Sequence, residues 1–233
     1  MKLVRKGHRK PHRGVIGVES AIVMIAFVIV AAALAFVVLN MGFSTTQKAK
    51  TTIVSSLSEA SSALEVAGKV TGVGDTTLSN LRVVSIPIKV AAGGDSINLQ
   101  NTTASIKYMS NSKEYDNIYS SALSGSAFST YANVTLAFAA ANSNLADFSK
   151  GNPVTAATNA PTNTKAIIYW SVRTNTNAIL DQGEHANVAI AFQPNDKPSA
   201  LDKMRVEVVV PTGSPLTVER QVPSITTSVV DLG

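Results

Sequence analysis

Three histidines and no cysteine are the whole stock of imidazole and thiol in this 233-residue chain, which removes thiolate nucleophiles, disulfides and cysteine-ligated metals. His8 and His12 lie in a basic N-terminal stretch. That leaves His185, next to Gly183-Glu184 in what reads as an exposed turn, and a general base needs both a partner and a pocket. No nucleophile motif accompanies it, so an enzyme is disfavoured. Asp75, Asp95, Asp181 and Glu184 carry oxygen ligands, but their spacing matches no known cation loop; neither a metal nor another cofactor is expected. The turns GGDS at Gly93 and DQGE at Asp181 have neither the length nor the lysine of a phosphate-binding loop. The remaining feature is a junction. In RGVIGVES, residues 13–20, the bond between Gly14 and Val15 follows Arg13 and precedes a long apolar run, with the carboxylate of Glu19 at its edge.

That run must be positioned by a membrane. From Ala21 to Leu39 nineteen consecutive residues lack a polar side chain, close to what an α-helix needs to cross a hydrocarbon core of about 30 Å. Eight of them are Val or Ile, poor helix formers in water, but lipid offers the backbone no other hydrogen-bond partner and helix wins. Six of the twenty Lys and Arg (Lys2, Arg5, Lys6, Arg9, Lys10 and Arg13) precede the run, and they hold the N-terminus in the cytoplasm by the positive-inside rule. Without them 14 bases face 15 acids, which offers no electrostatic case for nucleic acid.

Three readings compete for the junction. A secretory signal has a shorter apolar region and a small-residue cleavage site after it, whereas NMGFSTTQKAK follows here. A plain signal anchor fits the length but leaves Glu19 unexplained. The third reading cuts the chain after Gly14, so that Val15 carries a free amine and Glu19 becomes the fifth residue.

In that form the residues resemble the type IV pilin-like superfamily, and RGVIGVESAIVMIAFVIVAAALAFVVLNMGF is most similar to archaellins, the archaeal flagellins. The C-terminal KMRVEVVVPTGSPLTVERQVPSITTSVVDLG resembles archaellins too. The resemblance implies a cleaved leader at residues 1–14, with Arg13, Gly14 and Val15 at the cut, and an assembly role for Glu19. It implies a membrane-inserted precursor, a prepilin-type leader peptidase, an assembly ATPase and a membrane platform as partners. The product is an extracellular filament of this subunit, alone or with paralogues.

The helix is expected to outrun the membrane. Ile53, Leu57, Ala60, Leu64 and Ala67 fall at steps of four and three as one apolar stripe, and no proline occurs between Pro11 and Pro87. Residues 15–70 are therefore assigned to the helix, with Gly68, Gly72 and Gly74 as its stop and Asn40-Met41-Gly42 as a soft point. Residues 75–233 read as a β-rich outer domain, and the fold class is α+β: a long N-terminal helix followed by an antiparallel β-sandwich. Candidate strands are 81–90, 103–108, 134–140, 165–172, 187–193, 204–210, 216–222 and 225–230, and residues 142–165 read as a long exposed polar loop. Asn101-Thr102-Thr103 and Asn133-Val134-Thr135 are candidate N-glycosylation sites.

The function expected is structural, a subunit polymerising through its N-terminal helix into the swimming filament. An adhesive pilus requires the same polymer and stands as the alternative. A monomeric anchored binding protein would display clustered aromatics, whereas Tyr108, Tyr115, Tyr119, Tyr131, Tyr169 and Trp170 are scattered along the chain.

Overall fold

The computed structural model describes residues 13–61 and 63–233. The first twelve residues, with most of the basic leader, lie outside them. The chain divides into two compact units, Met1–Val54 and Ser55–Gly233.

Helix α1 spans Arg13–Ser61 without interruption, so Asn40-Met41-Gly42 does not break it. Every described side chain from Gly17 to Leu57 is exposed, including Phe27 at 72%, Phe36 at 70% and Phe43 at 69%. In the more polar second half, the hydroxyls of Thr45, Thr46 and Thr52 donate to the carbonyls of Met41, Gly42 and Lys48 at 2.8, 2.8 and 2.9 Å. Each hydroxyl is thereby satisfied within its own helix, and the helix surface stays suited to an apolar partner.

Among its described residues the second unit has thirteen strands: β1 Leu64–Val66, β2 Thr71–Asp75, β3 Asn80–Val90, β4 Ile97–Asn98, β5 Ser105–Ser110, β6 Glu114–Tyr115, β7 Tyr119–Ala122, β8 Lys165–Val172, β9 Ile179–Leu180, β10 His185–Ala191, β11 Lys203–Val209, β12 Leu216–Gln221 and β13 Val229–Asp231. A seven-stranded sheet runs β13-β2-β3-β10-β8-β7 with β1 also on β3; a four-stranded sheet runs β12-β11-β5-β6; β4 and β9 form a third pair. All pairings are antiparallel except β7 with β8. The two larger sheets share a core in which Ile86, Ile88, Ile168, Trp170, Val188 and Ile190 meet Ile106, Tyr108, Val206 and Val208.

The expected strands at 81–90, 103–108, 165–172, 187–193, 204–210 and 216–222 are present within a few residues as β3, β5, β8, β10, β11 and β12. The one at 225–230 is reduced to β13. Three other expectations are corrected. First, α1 ends at Ser61, and Leu64 and Ala67 do not continue its stripe. Strand β3 is eleven residues long; β2 covers one edge of its first half, and the rest of that edge would expose unpaired backbone groups. Leu64, Glu65 and Val66 pair there with Val90, Lys89 and Ile88, and the Ala67 N–H donates to the Pro87 carbonyl at 2.9 Å. Second, Gly72 and Gly74 do not stop the helix; they lie inside β2. A Cβ on Gly74 would come within 2.6 Å of Ile225 Cγ2 and 2.8 Å of the Thr227 carbonyl, so glycine is required for close packing.

Third, residues 134–140 are not a strand but the start of α2, Val134–Asn144. Asn133 caps it, its Oδ1 accepting from the Leu136 N–H at 2.9 Å. Ala137, Phe138 and Ala141 are buried, and they pack with Val83, Ile167, Tyr169, Ala189 and Ala191 on the face of the large sheet turned away from the sandwich core. That face would otherwise be apolar and wet. The following residues, expected as an exposed loop, carry two 3-10 turns, Ala146–Phe148 and Ala157–Asn159, and bury Phe148 against Phe138 with ring centroids 5.3 Å apart.

Candidate functional site

Arg13, Gly14 and Val15 lie in the first turn of α1, on a backbone continuous with the apolar segment. Glu19 follows Val15 by four residues, about 6 Å of rise along the same helix face. It is exposed, flanked by Ser20, Val23, Met24 and Phe27 in one shallow patch of mostly apolar lining. Within Gly17–Leu57 the mean hydropathy reaches 3.3, by length and composition enough to cross a bilayer. The thirteen large apolar side chains between Ala21 and Leu39, at about 2 kcal/mol each, would cost roughly 26 kcal/mol to leave in water. An unshielded surface of this size is the dominant chemical feature of the chain. It needs lipid or other helices.

The two sequons differ in geometry. Asn101 is exposed in the turn before β5, and its Nδ2 donates to the Ser120 carbonyl at 2.8 Å. Asn133 is exposed at the N-cap of α2, where Oδ1 is engaged by Leu136. An N-linked glycan attaches at Nδ2, so the cap and the modification use opposite ends of the same amide.

Of the acids considered as cation ligands, Asp75, Asp181 and Glu184 accept hydrogen bonds from nearby turns. Asp75 Oδ1 accepts from the N–H groups of Thr77 and Leu78 at 3.1 and 3.3 Å. Glu184 is fully buried; its Oε1 accepts from the N–H groups of Thr174 and Asn175 at 2.7 and 3.3 Å, and Oε2 from that of Asp181 at 3.2 Å. Among the described residues no three acid, His or Cys side chains converge as a cation site would require. His185 is not an exposed turn residue: it opens β10 at a bulge and is half-buried.

One polar cluster has no sequence signal. Asp196 is not singled out by the sequence, and its side chain is buried. Its Oδ2 accepts from Tyr115 Oη at 2.5 Å, Gln193 Nε2 at 2.6 Å and Thr164 Oγ1 at 2.9 Å, tying β6 of one sheet to the ends of β8 and β10 of the other. The hydrogen bond to Asp196, and secondarily burial, raises the Tyr115 phenol above its ordinary range. Burial does the same to Tyr108, Tyr119 and Tyr169. Tyr119 Oη donates to the Leu99 carbonyl. Tyr108, Tyr119, Tyr169 and Trp170 are core, and Tyr115 packs half-buried against it.

Residues 14–220 match the family model for archaeal-type flagellin. A probable flagellin 1 of Aeropyrum pernix is 35% identical over 212 residues, spanning 91% of this chain and 93% of that protein. A probable flagellin 1 of Archaeoglobus fulgidus is 39% identical over 97 residues, 42% of this chain and 48% of that one. The fold is similar to that in the archaeal flagellum of Methanospirillum hungatei strain JF1, with a TM-score of 0.59 at 24% identity, covering 92% of this chain and 98% of that one. It is also similar to the crystal structure of archaeal flagellin FlaB1 from Methanocaldococcus jannaschii, with a TM-score of 0.54 at 18% identity over 73% and 96% of the two chains.

Proposed function

The chain belongs to the archaeal-type flagellin family and is a structural subunit of the archaellum filament, and we propose a route by which it is stored and assembled. The precursor sits in the membrane through the apolar part of α1. A prepilin-type peptidase cuts between Gly14 and Val15, an ATPase and a membrane platform draw the helix out, and it joins a bundle of like helices inside an extracellular filament whose outer layer is the β unit. The single observation that carries this route is the exposed apolar surface of α1, which would cost roughly 26 kcal/mol to leave in water. Spontaneous release is negligible at that cost, and machinery is required. Transfer from lipid to a helix bundle is nearly neutral in hydrophobic terms, so packing decides, and Ala31-Ala32-Ala33 with Ala35 let backbones approach.

Within the bundle the carboxylate of Glu19 needs a cation, and removal of the leader creates one, the amine of Val15 on a neighbouring copy. Processing and assembly are then chemically linked. Asn101 and Asn133 serve as glycosylation sites on the extracellular face. The test is mass spectrometry of filaments sheared from cells: this chain should be a major component and its N-terminus should be Val15. A chain beginning at Met1 in the filament, or filaments lacking it, would defeat the proposal.

A further inference from the structure

Among the described residues, only Ser79, at φ 50°, and Leu201, at φ 72°, are non-glycines in the left-handed region. They are 122 positions apart in sequence, yet their turns adjoin: Asn80 and Ser199 form a bridge, and the Leu81 N–H donates to the Pro198 carbonyl at 2.9 Å. Each turn also displays a leucine, Leu78 at 62% and Leu201 at 72% exposure. We propose that these two turns, 76–79 and 198–202, are a contact between neighbouring copies of this chain in the filament.

Both turns are held rigidly. The Leu201 N–H donates to the Val222 carbonyl at 2.7 Å and the Leu201 carbonyl accepts from Gln221 Nε2 at 3.1 Å. Asp202 accepts from the Ser199 N–H at 2.9 Å and from Asn111 Nδ2 at 3.3 Å, and Asp75 holds the Leu78 N–H at 3.3 Å. A leucine at positive φ is strained where glycine or asparagine is not, and its side chain here points into water. Within its own chain it gains nothing from being leucine. Strain retained at an exposed apolar residue points to a contact made elsewhere.

The occupant follows from charge and area. Residues 76–79 and 198–202 carry one ionisable side chain, Asp202, which is engaged by Ser199 and Asn111, and the unit from 55 to 233 holds 12 Lys and Arg against 14 Asp and Glu, so little net charge opposes the approach of two copies. Two exposed leucines offer on the order of 200 Å². A free partner needs an interface of roughly 1,000 Å². Such a patch is useful only against a neighbour already held nearby, where the helix bundle raises the local concentration. The proposal rests on the filament reading above.

The test compares cells expressing the full chain as wild type, Leu201→Gly, Leu201→Asn, Leu78→Ser and, as a control on another exposed apolar residue, Val172→Ser. Filament mass per cell and the temperature at which sheared filaments dissociate are measured, together with the trypsin resistance of the membrane-held subunit. The three turn variants should reduce filament mass at least threefold or lower the dissociation temperature by at least 5 °C, with trypsin resistance unchanged or raised. Filaments of normal mass and stability in Leu201→Gly and Leu78→Ser would overturn the contact while leaving the filament reading intact. So would lost trypsin resistance in Leu201→Gly and Leu201→Asn, which would assign the leucine to its own fold, or an equal loss in Val172→Ser. Absence of wild-type filaments would overturn the filament reading and the contact with it.

Discussion

Replacing Phe138 by Ala tests the least expected element of the fold. Phe138 is fully buried, 5.3 Å from the Phe148 ring between centroids, and it packs α2 onto the outer face of the large sheet. Truncation of a buried phenylalanine costs about 3–5 kcal/mol through lost transfer energy and the cavity left behind. For a unit of this size each kcal/mol moves the midpoint by about 2–4 °C, so thermal unfolding of the full chain in detergent should drop by roughly 6–20 °C. Near-ultraviolet circular dichroism, carried by the buried Trp170 and tyrosines, follows it. Phe138 alone does not distinguish helix from strand, since alternation through Val134, Leu136, Phe138 and Ala140 would bury it as well. Its neighbours do. In α2, Leu136 is 50% exposed and Ala137 is fully buried. Leu136→Ser should therefore fall within about 0.5 kcal/mol of wild type. Ala137→Asp, which buries an unpaired charge, should cost about 3–5 kcal/mol. The reverse ranking, with Leu136→Ser severe and Ala137→Asp mild, would refute the helix and restore the strand.

Four further outcomes are expected. Glu19→Ala should leave cleavage and membrane insertion intact and lower filament yield, with Glu19→Asp milder; normal yield and thermal stability in the Ala variant would sink the pairing with the Val15 amine. Tyr108, Tyr115, Tyr119 and Tyr169 all have phenols raised above the unfolded value of about 10. Their contribution to stability is complete below that pH and is lost as pH climbs from it through the folded values, so melting temperature should be flat from pH 7 to 9 and fall steeply beyond 10; a flat profile to pH 12 would contradict this. A fragment starting at Asp75 should be less stable and more prone to aggregate than one starting at Ala63, because it lacks β1 and all of β2 but its last residue and bares an edge of β3, and sedimentation of the two fragments compares them. Asn133→Ala should cost about 1 kcal/mol by loss of the cap, whereas Asn133→Asp retains it. Both should remove any glycan mass from the tryptic peptide containing residue 133, and thermal melting with peptide mapping separates the two effects.

The apolar half of α1 is legible in sequence alone, because nineteen apolar residues in a row have the length and composition of a membrane-crossing helix whatever the rest of the chain does. Sequence also settles β3, β8, β10, β11 and β12, whose Val, Ile and aromatic runs are set off by turn residues; Gly93 and Gly183, at φ 82° and 88°, mark two of those turns. It places Val15 and Glu19 on one helix, since helix spacing is local, but it assigns Arg13 and Gly14 to the leader, and the structure extends the helix back to include them. Contacts between segments far apart in the chain decide the rest. Residues 64–66 fit a helical stripe as well as a strand, and only the uncovered half of the β3 edge selects the strand. Residues 134–140 alternate like a strand, yet the apolar outer face of the β8 and β10 layer calls for a cover, and Asn133 supplies the start of a helix. Nothing in the sequence marks Asp196, on which Tyr115, Thr164 and Gln193 converge from separate segments. Leu201 and Ser79 are ordinary letters whose backbone angles are imposed by neighbouring turns. A local pattern records which residues avoid water. It does not record which distant surface excludes that water, and that choice is made by the assembled sheets.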